Sequence, residues 1–568
     1  MPPSLVERFF PFQLEGVKFG ATHHGRILIG DEMGVGKTVQ ALAISYLYRE
    51  DWPLLILSPS SLKLLWRDEI LKWFPSIPKD EIEVINTSKR AFTSKSQIYI
   101  LSFDMAKNVE EVLKTHKFRI AIADEAHYLK SRDAKRTKIL SPLLMKCKRV
   151  LLLTGTPMLG RPMELYNLVH ILRPDLFPSF REFGFRYCDP RVSYFGTDWG
   201  NSSNVDELHL ILSNTVMIRR LKAQVLNELP SKRRQKIQVE TETRLLRSVQ
   251  RILQKCTEKE INHILEQPTD ELNETHKNIM VAYKLSGLSK IKGICEFLNI
   301  LIDNQLKFIV FAHHMELLSE LENFIKQRKN SYIRIDGSVP PAKRHQLVNK
   351  YQTEDKCKVA LLSLTASSQG ITLTASSTVV FAEMNWTPGI MEQAEDRVHR
   401  IGQKNAVTIY YLYAEDTLDP FIYKMIKTKN ELVAQALNGE KSKFLMPSGS
   451  LQEAKDVIEG KEEIKEYVGN KRKAVKKSKK RLMKKKKLNS NNIKDRPSKR
   501  AKKIRRKRID RNDNNPNGSN NSIEEDSNNQ ENSNSEYVNS EIEIDNQDHN
   551  KHDYISVSSG GDLAEGEE

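Results

Sequence analysis

The clearest indication of the fold of this chain is the segment Ile29–Gln40, which reads IGDEMGVGKTVQ. An apolar run precedes it and a run with helical character follows it, so the stretch connects a strand to a helix. A glycine-rich loop at such a place binds phosphate through its backbone N–H groups, with a helix N-terminus behind the phosphates and a lysine in front. The stretch therefore predicts a nucleotide pocket in an α/β fold.

Four residues of this loop have the types that phosphate binding needs. Gly34 and Gly36 allow the tight turn. Lys37 would reach the β- and γ-phosphates, and the hydroxyl of Thr38 would bind Mg²⁺. The usual pattern has glycine at the position of Asp31, and a chance glycine-rich turn is the alternative interpretation. A second motif is therefore needed before this loop can be interpreted as a nucleotide pocket.

That second motif is the stretch Ile120–His127, which reads IAIADEAH. Asp124 and Glu125 end an apolar strand, and an α/β sheet presents its ligand-binding groups at this end of its strands. Asp124 would hold Mg²⁺, while Glu125 would orient and deprotonate the attacking water. An acidic helix N-cap is the other interpretation of this pair, but the phosphate loop upstream favours a site of ATP hydrolysis.

Apolar runs alternate with amphipathic helices in two series, as in LLILSPSS before LKLLWRDEILKWF and again from KFIVFAHH onward. Such a series predicts parallel strands that are covered on both faces. We therefore predict an ATP-binding lobe over residues 1–175 and a second lobe over residues 301–445. Residues 176–300 are richer in helical pattern and are predicted to form a helical insertion and linker between the lobes.

The stretch Gln393–Gln403, QAEDRVHRIGQ, carries two arginines on one face of a helix, Arg397 and Arg400. Arg400 is the first choice for an arginine finger that crosses from the second lobe to the γ-phosphate, with Arg397 beside it. Such a finger stabilises the charge that develops in phosphoryl transfer. The alternative is an exposed, charged helix.

Composition sets limits on the class of protein. The chain has 568 residues, of which 39% are hydrophobic and 29% charged, and this fits a large protein of three or four domains. No apolar stretch approaches the ~18 residues that span a bilayer, so no membrane association is expected. The five cysteines lie far apart without a CxxC pair, which argues against a sequence-local zinc finger and favours reduced thiols.

Charge is distributed unevenly along the chain. Residues 471–508 contain 22 lysines and arginines against one aspartate, whereas residues 513–568 contain 15 acidic residues against one lysine. We predict a basic low-complexity segment over 446–512 and a disordered acidic tail, rich in Asn and Ser, over 513–568, because the tail has too few apolar residues to form a core. The basic tract matches nuclear-import patches and would also bind DNA phosphates, and a solvated segment with neither role is the alternative.

Six motifs occur in the order of the motifs of helicase superfamily two: PFQLEGV, DEMGVGKT, DEAH, LTGTP, ASSQGITLTAS and QAEDRVHRIGQ. Together they resemble the Swi/Snf-type DNA-dependent ATPases, whose phosphate loop also carries aspartate at the position of Asp31. The resemblance covers about residues 1–440. It implies two RecA-like lobes with a helical insertion between them, followed here by a disordered charged tail.

The resemblance implies further roles for residues of this chain. Gln13 would recognise adenine, although a polar residue on a helix face is the alternative. The residues implied to contact nucleotide are Gln13, Asp31, Glu32, Met33, Gly34, Val35, Gly36, Lys37, Thr38, Gln369 and Gly370. The residues implied to couple the ATP site to DNA are Ser60, Thr154, Gly155, Thr156 and Thr372. For the LTGTP motif, the alternative interpretation is an ordinary connection from a strand to a turn.

Within this family, the stretches WPLLILSPSSLKLLW, GRPMELYNLVHIL and MIRRLKAQVLNELP resemble the annealing-helicase, fork-remodelling branch. The resemblance implies an ATP-dependent translocase on double-stranded DNA that remodels replication forks or anneals strands in the nucleus, in replication stress and repair. ATP and Mg²⁺ are the implied cofactors. DNA, as duplex, fork or junction, is the implied partner, and a single-strand-binding protein, a sliding clamp and histones are further candidates.

Three other functions stay open at this point. They are a nucleosome-remodelling ATPase, a nuclear scaffold with a vestigial ATPase, and an RNA helicase. The intact ATP motifs argue against the scaffold, and the RVHRIGQ ending disfavours the RNA helicase. Relatives in the branch carry a zinc finger and a nuclease domain after the motor, but neither pattern is recognisable here, so no nuclease activity is expected.

Overall fold

A computed structural model describes residues 6–87, 92, 96–193, 196–226, 228–266, 273–365, 371–441 and 446–461. Two parallel sheets of seven strands form its framework, and each sheet carries apolar side chains on both faces. Parallel strands need crossover connections, and these connections place helices over both faces. The predicted α/β class with two RecA-like lobes is confirmed.

The first lobe is built on one of these sheets. Its strands and a separate antiparallel hairpin are β1 (Arg26–Ile29), β2 (Leu54–Ser58), β3 (Ile82–Val84), β4 (Ile98–Ser102), β5 (Ile120–Asp124), β6 (Arg149–Leu153), the hairpin strands β7 (Arg191–Ser193) and β8 (Gly196–Asp198), and β9 (Met217–Ile218). The order across the sheet is β3-β4-β2-β5-β6-β1-β9. The ends of β5, β6 and β1 are therefore neighbours, and the loops that follow these three strands share one edge of the sheet.

The helices of the first lobe follow its strands. In chain order they are α1 (Pro11–Thr22), α2 (Lys37–Leu47), α3 (Lys63–Trp73), α4 (Glu110–Thr115), α5 (Lys135–Lys146), α6 (Met163–Leu172), α7 (Phe180–Tyr187), α8 (Val205–Thr215) and α9 (Lys222–Val225). The strands pack against them on both sides. In β2, for example, Leu55 and Leu57 belong to one apolar cluster and Leu54 and Ile56 to another, and all four are fully buried. This rigid sheet supports the loops at its edge.

The second lobe repeats the architecture. Its strands are β10 (Lys232–Gln238), β11 (Phe308–Ala312), β12 (Ser331–Ile335), β13 (Cys357–Ser363), β14 (Thr378–Phe381), β15 (Val407–Tyr413) and β16 (Ser448–Gly449), in the order β12-β13-β11-β14-β15-β10-β16. Its helices are α10 (Thr243–Leu253), α11 (Glu258–Glu266), α12 (Glu274–Ser289), α13 (Ile291–Asp303), α14 (Met315–Gln327), α15 (Pro341–Thr353), α16 (Pro388–Glu395), α17 (Asp419–Asn438) and α18 (Leu451–Ile458).

The range 176–300, expected to be a helical insertion and linker, also contributes a strand to each sheet. β9 extends the first sheet beside β1, and β10 pairs with β15 in the second sheet. The sequence hides both strands, because β9 has two residues and β10 reads KRRQKIQ with only Ile237 fully buried. Helices α11 to α13 pack on the second sheet, so this range divides between the lobes.

Helix α17 belongs to both lobes. Its first half, through Ile422 and Ile426, packs in a cluster of the second lobe, whereas Ala436 and Leu437 pack in a cluster of the first lobe. The helix ends at a left-handed Gly439 with φ 67°. A single helix thus contacts both lobes along its length.

The segment 446–461, part of the range expected to be of low complexity, contains β16 and α18. Ser450 caps α18 by accepting a hydrogen bond from the Glu453 N–H, and Ala454 is buried. Within the part of the chain that the structure describes, no helix is long and apolar enough to cross a membrane. The predicted basic tract and acidic tail lie outside the described residues.

Candidate nucleotide site and lobe interface

The phosphate loop has the backbone that its glycines were expected to allow. Gly34 and Gly36 have φ of 80° and 95°, a region that other residues rarely adopt, and α2 begins directly after Gly36. A Cβ added at Gly36 would lie 2.4 Å from Gln13 Nε2. Any side chain at this position would therefore displace the glutamine that was predicted to recognise adenine.

Lys37 lies in the mouth of the loop. Its Nζ donates to the backbone carbonyls of Asp31, at 3.0 Å, and Glu32, at 3.4 Å. Burial lowers the pKa of Lys37, although the nearby carboxylates of Glu125, Asp31 and Asp124 act in the opposite direction. Among the described residues, the Lys37 ammonium donates to these carbonyl groups of its own loop, and such a partly buried cation is well suited to bind an anion.

Asp31 makes contacts within the protein through its carboxylate, and its predicted contact with nucleotide stays a prediction. Its carboxylate is fully buried and accepts hydrogen bonds from the backbone N–H and Nε of Arg220, both at 3.0 Å, and from Gln40 Nε2, also at 3.0 Å. Arg220 Nη2 also pairs with it. Because these partners occupy both oxygens, the side chain fixes the loop from behind, which explains how aspartate can replace the usual glycine.

Gln13 is buried on α1 and contacts the loop directly. Its Nε2 donates to the Val35 carbonyl at 3.1 Å, and its Oε1 accepts from the Phe10 N–H at 3.1 Å. A groove of about 370 Å³ runs beside Phe10 and is lined from the second lobe by Ile401 and Gly402. Phe10 and Ile401 are each about half exposed, so an apolar surface is available next to Gln13 for a flat ring.

Asp124 ends β5 and is held by an indole. Trp66 Nε1 donates to Asp124 Oδ2 at 2.9 Å, and the Glu125 N–H donates to Oδ1 at 3.0 Å. Burial and the adjacent Glu125 raise the pKa of Asp124 to about 6, while Trp66 and Lys37 oppose this rise. Trp66, on α3, was not predicted as a site residue, and no motif pointed to it beyond the resemblance of SSLKLLW.

Glu125 adopts a left-handed backbone, with φ 53° and ψ 49°. Burial would raise the pKa of this carboxyl, but His127, Lys37 and Arg397 lower it below its usual range. His127 Nδ1 lies 3.3 Å from Glu125 Oε2, and this buried oxygen accepts no hydrogen bond from the residues that the structure describes. An ionised carboxylate with an unused oxygen is suited to hold a water molecule.

The two arginines from the second lobe meet the site in different ways. A Cβ added at Gly34 would lie 3.0 Å from the Arg400 Cβ, so Arg400 packs on the phosphate loop while its Nη1 donates to Thr372 Oγ1 at 2.8 Å. Arg397 is buried, and burial lowers its pKa to about 10 although Glu125 and Asp124 favour its charged form. The electrostatic partner of the acidic pair is therefore Arg397, although Arg400 was the first choice.

Acidic residues beside the arginines anchor them within the second lobe. Glu395 accepts from Arg234 Nη2 at 2.6 Å and from Lys232 Nζ at 3.1 Å. Burial alone would raise the pKa of Glu395, but Arg234 and Lys232 lower it to about 2. Strand β10 thus positions the turn that carries Arg397 and Arg400. The charged sequence of β10 was the signal for these contacts, but this segment was not predicted to be a strand.

The LTGTP motif links the acidic pair to the second lobe. Thr154 Oγ1 lies 3.1 Å from His127 Nδ1 and accepts from the Thr156 N–H, also at 3.1 Å. Thr156 Oγ1 accepts from Gln393 Nε2 of α16 at 3.4 Å. A Cβ on Gly155 would lie 2.5 Å from Met33 Cγ, so the motif also packs on the phosphate loop.

A second basic feature lies away from the phosphate loop. A cavity of about 640 Å³ is lined by residues of both lobes, including the cations Lys130, Arg132, Arg161 and Lys429. Burial lowers the pKa of Lys429 to about 8, and the neighbouring Arg161 acts in the same direction. Asp133, Glu164 and Glu266 also line the cavity, and Lys130 Nζ pairs with Glu164 Oε1 at 2.8 Å, so the four cations exceed the acidic residues of the lining by one.

The remaining predicted residues divide into three groups. Ser60 is exposed in a 3₁₀ turn after β2, where a DNA backbone could reach it. Thr38 is partly buried in the first turn of α2, beside Lys37. Gln369 and Gly370 lie outside the described residues.

Two family models match the chain. Residues 12–295 match the SNF2-related domain, and residues 289–402 match the helicase conserved C-terminal domain. The two matches overlap at residues 289–295, and together they extend from the first lobe into the second lobe as far as Gly402.

Curated relatives are similar over the same part of the chain. The protein named "DNA annealing helicase and endonuclease ZRANB3" from Mus musculus is 40% identical over 487 residues, which are 81% of this chain and 45% of that protein. The "SWI/SNF-related matrix-associated actin-dependent regulator of chromatin subfamily A-like protein 1" from Xenopus laevis is 39% identical over 433 residues, or 76% of this chain and 44% of that protein. The chain therefore spans less than half the length of these relatives.

Solved structures also match, and one of them is the "Sulfolobus solfataricus SWI2/SNF2 ATPase core in complex with dsDNA", which is 21% identical, with a TM-score of 0.37, over 76% of this chain and 93% of that chain.

Proposed function

The chain belongs to the SNF2-related family, and on this basis we propose that it is an ATP-dependent translocase on double-stranded DNA. We further propose that it acts in the nucleus as an annealing helicase or fork remodeller, in replication stress and repair. The proposal rests most directly on one contact, in which Arg400 of the second lobe packs on Gly34 of the phosphate loop. Because the site uses both lobes, a change in the nucleotide must affect the arrangement of the lobes.

The residues of the first lobe fit ATP. Lys37 and the N-terminus of α2 would bind the phosphates, and Gln13 with the groove beside Phe10 would bind the base. Thr38 and Asp124 would hold Mg²⁺, which supplies positive charge to the phosphates when bound. Glu125 Oε2, which accepts no hydrogen bond from the residues that the structure describes, would orient the attacking water.

The second lobe would complete this site. Arg397 lies where Glu125 and Asp124 favour its charged form, and we propose that it stabilises negative charge in phosphoryl transfer. Arg400 would hold the phosphate loop against the second lobe and would add a second positive charge. Gln369 and Gly370 stay predicted nucleotide contacts.

The DNA-coupling residues would connect this chemistry to a duplex. His127 Nδ1 lies 3.3 Å from Glu125 Oε2 and 3.1 Å from Thr154 Oγ1, and Thr156 accepts a hydrogen bond from Gln393 of the second lobe, so a path of polar contacts leads from the acidic pair across the interface. We propose that Ser60, Gly155 and Thr372 act along this path. The cleft with Lys130 and Lys429 would grip the DNA phosphates without reading sequence.

The subtype and the partners are proposed from the relatives. The Mus musculus relative is named a DNA annealing helicase, which supports a junction or fork as the preferred DNA. A single-strand-binding protein, a sliding clamp and histones are further proposed partners. The Xenopus laevis relative is named a regulator of chromatin, so nucleosome remodelling is the second candidate function.

The experiment is steady-state ATPase activity measured without nucleic acid and with single-stranded DNA, duplex DNA, a model fork, nucleosomes or RNA. Lys37→Ala is the control, because it removes the phosphate-binding cation. We expect stimulation by duplex DNA and stronger stimulation by the fork, both lost in the variant. Stimulation mainly by nucleosomes would favour the second candidate, and no stimulation by any DNA would overturn the proposal.

A further inference from the structure

A short basic segment between the two lobes is buried at their interface. Arg219 to Lys222 follow β9, and Arg220 and Lys222 expose only 11% and 3% of their side chains. Burying a cation is costly unless it is paired and hydrogen-bonded, so each of these residues needs a defined partner. The sequence RRLK of this segment contributes to the resemblance to the fork-remodelling branch, but no function was predicted for its residues.

The two arginines of this segment fix the first lobe. Arg219 Nη1 donates to the carbonyls of Gly30, at 2.6 Å, and Gly155, at 3.1 Å, and its Nε donates to Asn438 Oδ1 on α17 at 2.7 Å. Arg220 holds Asp31 behind the phosphate loop. Both arginines therefore contact the nucleotide site from its rear.

Lys222 makes the connection to the second lobe. Its backbone N–H donates to Glu32 Oε2 at 2.8 Å, and its Nζ lies 3.7 Å from Glu32 Oε1. The same Nζ lies 2.8 Å from Asp396 Oδ1 and donates to the His399 carbonyl at 2.7 Å. One ammonium group thus joins an acidic residue of the phosphate loop to the residues that directly precede Arg397 and Arg400.

The contacts around Lys222 show that its loss would affect mainly the bridge between the two lobes. Lys232 Nζ also lies 3.4 Å from Asp396 Oδ1. Loss of Lys222 would therefore leave Asp396 with a partner inside the second lobe, while Glu32 would keep only its backbone contact. The fold of each lobe should survive, whereas the side-chain bridge between the lobes would be lost.

We propose that Lys222 is a positioning residue that holds the arginine-bearing turn in register with the phosphate loop. It acts through Glu32 on one side and through Asp396 and His399 on the other, and it does not itself contact the nucleotide. This inference rests on the proposed ATPase function and adds to it the residue that joins the halves of the site.

The first test is the DNA-stimulated ATPase activity of Lys222→Met, which keeps an unbranched side chain but removes the charge. We expect kcat to fall by about tenfold or more while KM for ATP stays within about twofold, because the arginines stabilise the transition state rather than bound ATP. Lys222→Arg should restore most of kcat, since it keeps the charge and the donors. An unchanged kcat, a change in KM alone, or failure of the arginine variant to rescue would overturn the inference.

The second test needs no nucleotide. We expect hydrogen–deuterium exchange of the ligand-free full chain to become faster at residues 396–403 in Lys222→Met. The matched control is Lys292→Met, because the Lys292 side chain is 69% exposed and pairs only with Glu240 and Glu296 among the described residues. Equal exchange in both variants would overturn the inference. If wild-type protein lacks DNA-stimulated ATPase activity, the proposed function fails, and the exchange result still decides whether Lys222 holds the turn.

Discussion

At the scale of single residues, the ionisation of Asp124 limits the pH range in which the proposed Mg²⁺ site would hold its ion. Its pKa is raised to about 6, so Asp124 is ionised at pH 7 and takes up a proton as the pH falls through 6. A protonated carboxyl is a poor ligand for Mg²⁺. The acidic limb of kcat/KM for ATP should therefore lie near pH 6, because this profile reports the free enzyme.

Trp66→Phe tests this assignment. The variant removes the indole N–H that stabilises ionised Asp124, so the pKa of Asp124 should rise and the acidic limb should move to higher pH. A hydrogen bond worth about 1 kcal/mol corresponds to about 0.7 pH unit. Trp73→Phe is the control, because its indole donates to Glu69 at 2.9 Å on the same helix, and a limb that moves equally in both variants would contradict the assignment.

The two arginines should also differ when each is replaced by alanine. Arg397→Ala should lower the rate of single-turnover hydrolysis on duplex DNA by about 10³-fold, in the range of known arginine fingers. Arg400→Ala should lower it less, because the Arg400 guanidinium donates to Thr372. Arg328→Ala, at an exposed pair with Asp303, should have no effect, and a larger loss in Arg400→Ala than in Arg397→Ala would restore the first choice made from the sequence.

At the scale of elements, an ion pair in the second lobe joins its helices to its sheet. Lys290, between α12 and α13, is fully buried and donates to Asp419 Oδ2 at 2.8 Å and to the Leu412 carbonyl at 3.0 Å. Lys290→Met should destabilise the protein by about 3–5 kcal/mol, because Asp419 stays buried without its cation. Chemical denaturation measures the loss, Lys292→Met is the exposed control, and equal stability of both variants would contradict this role.

The elements also show why the sequence revealed some features and hid others. The strands β1, β2, β5 and β6 were predictable because they are continuous apolar runs, and the loop from Gly34 to Lys37 was predictable because only a few residue types allow its backbone. β10 was hidden because four of its seven residues are charged, and two of these, Lys232 and Arg234, pair with Glu395. Trp66, Arg219, Arg220 and Lys222 were missed because their roles depend on contacts with partners that lie far away in sequence.

At the scale of the whole molecule, the basic cleft predicts how DNA binding depends on pH. Lys429 has a pKa lowered to about 8, so the cleft loses a positive charge as the pH rises from 7 to 9. Duplex affinity should fall over this range, and the slope of log affinity against log salt should weaken by about 0.9. Lys429→Arg should keep both constant, since arginine stays charged, and the same pH dependence in this variant would exclude Lys429 as its cause.

The central claim is that ATP hydrolysis, shared between two lobes, moves the protein along duplex DNA. The most direct measurement is displacement of a third strand from a triplex that lies ahead of a plain duplex, because displacement requires movement and not only binding. We predict that wild-type protein with ATP and Mg²⁺ releases the third strand, whereas Lys37→Ala does not. Hydrolysis of ATP on this substrate without release of the third strand would contradict the claim.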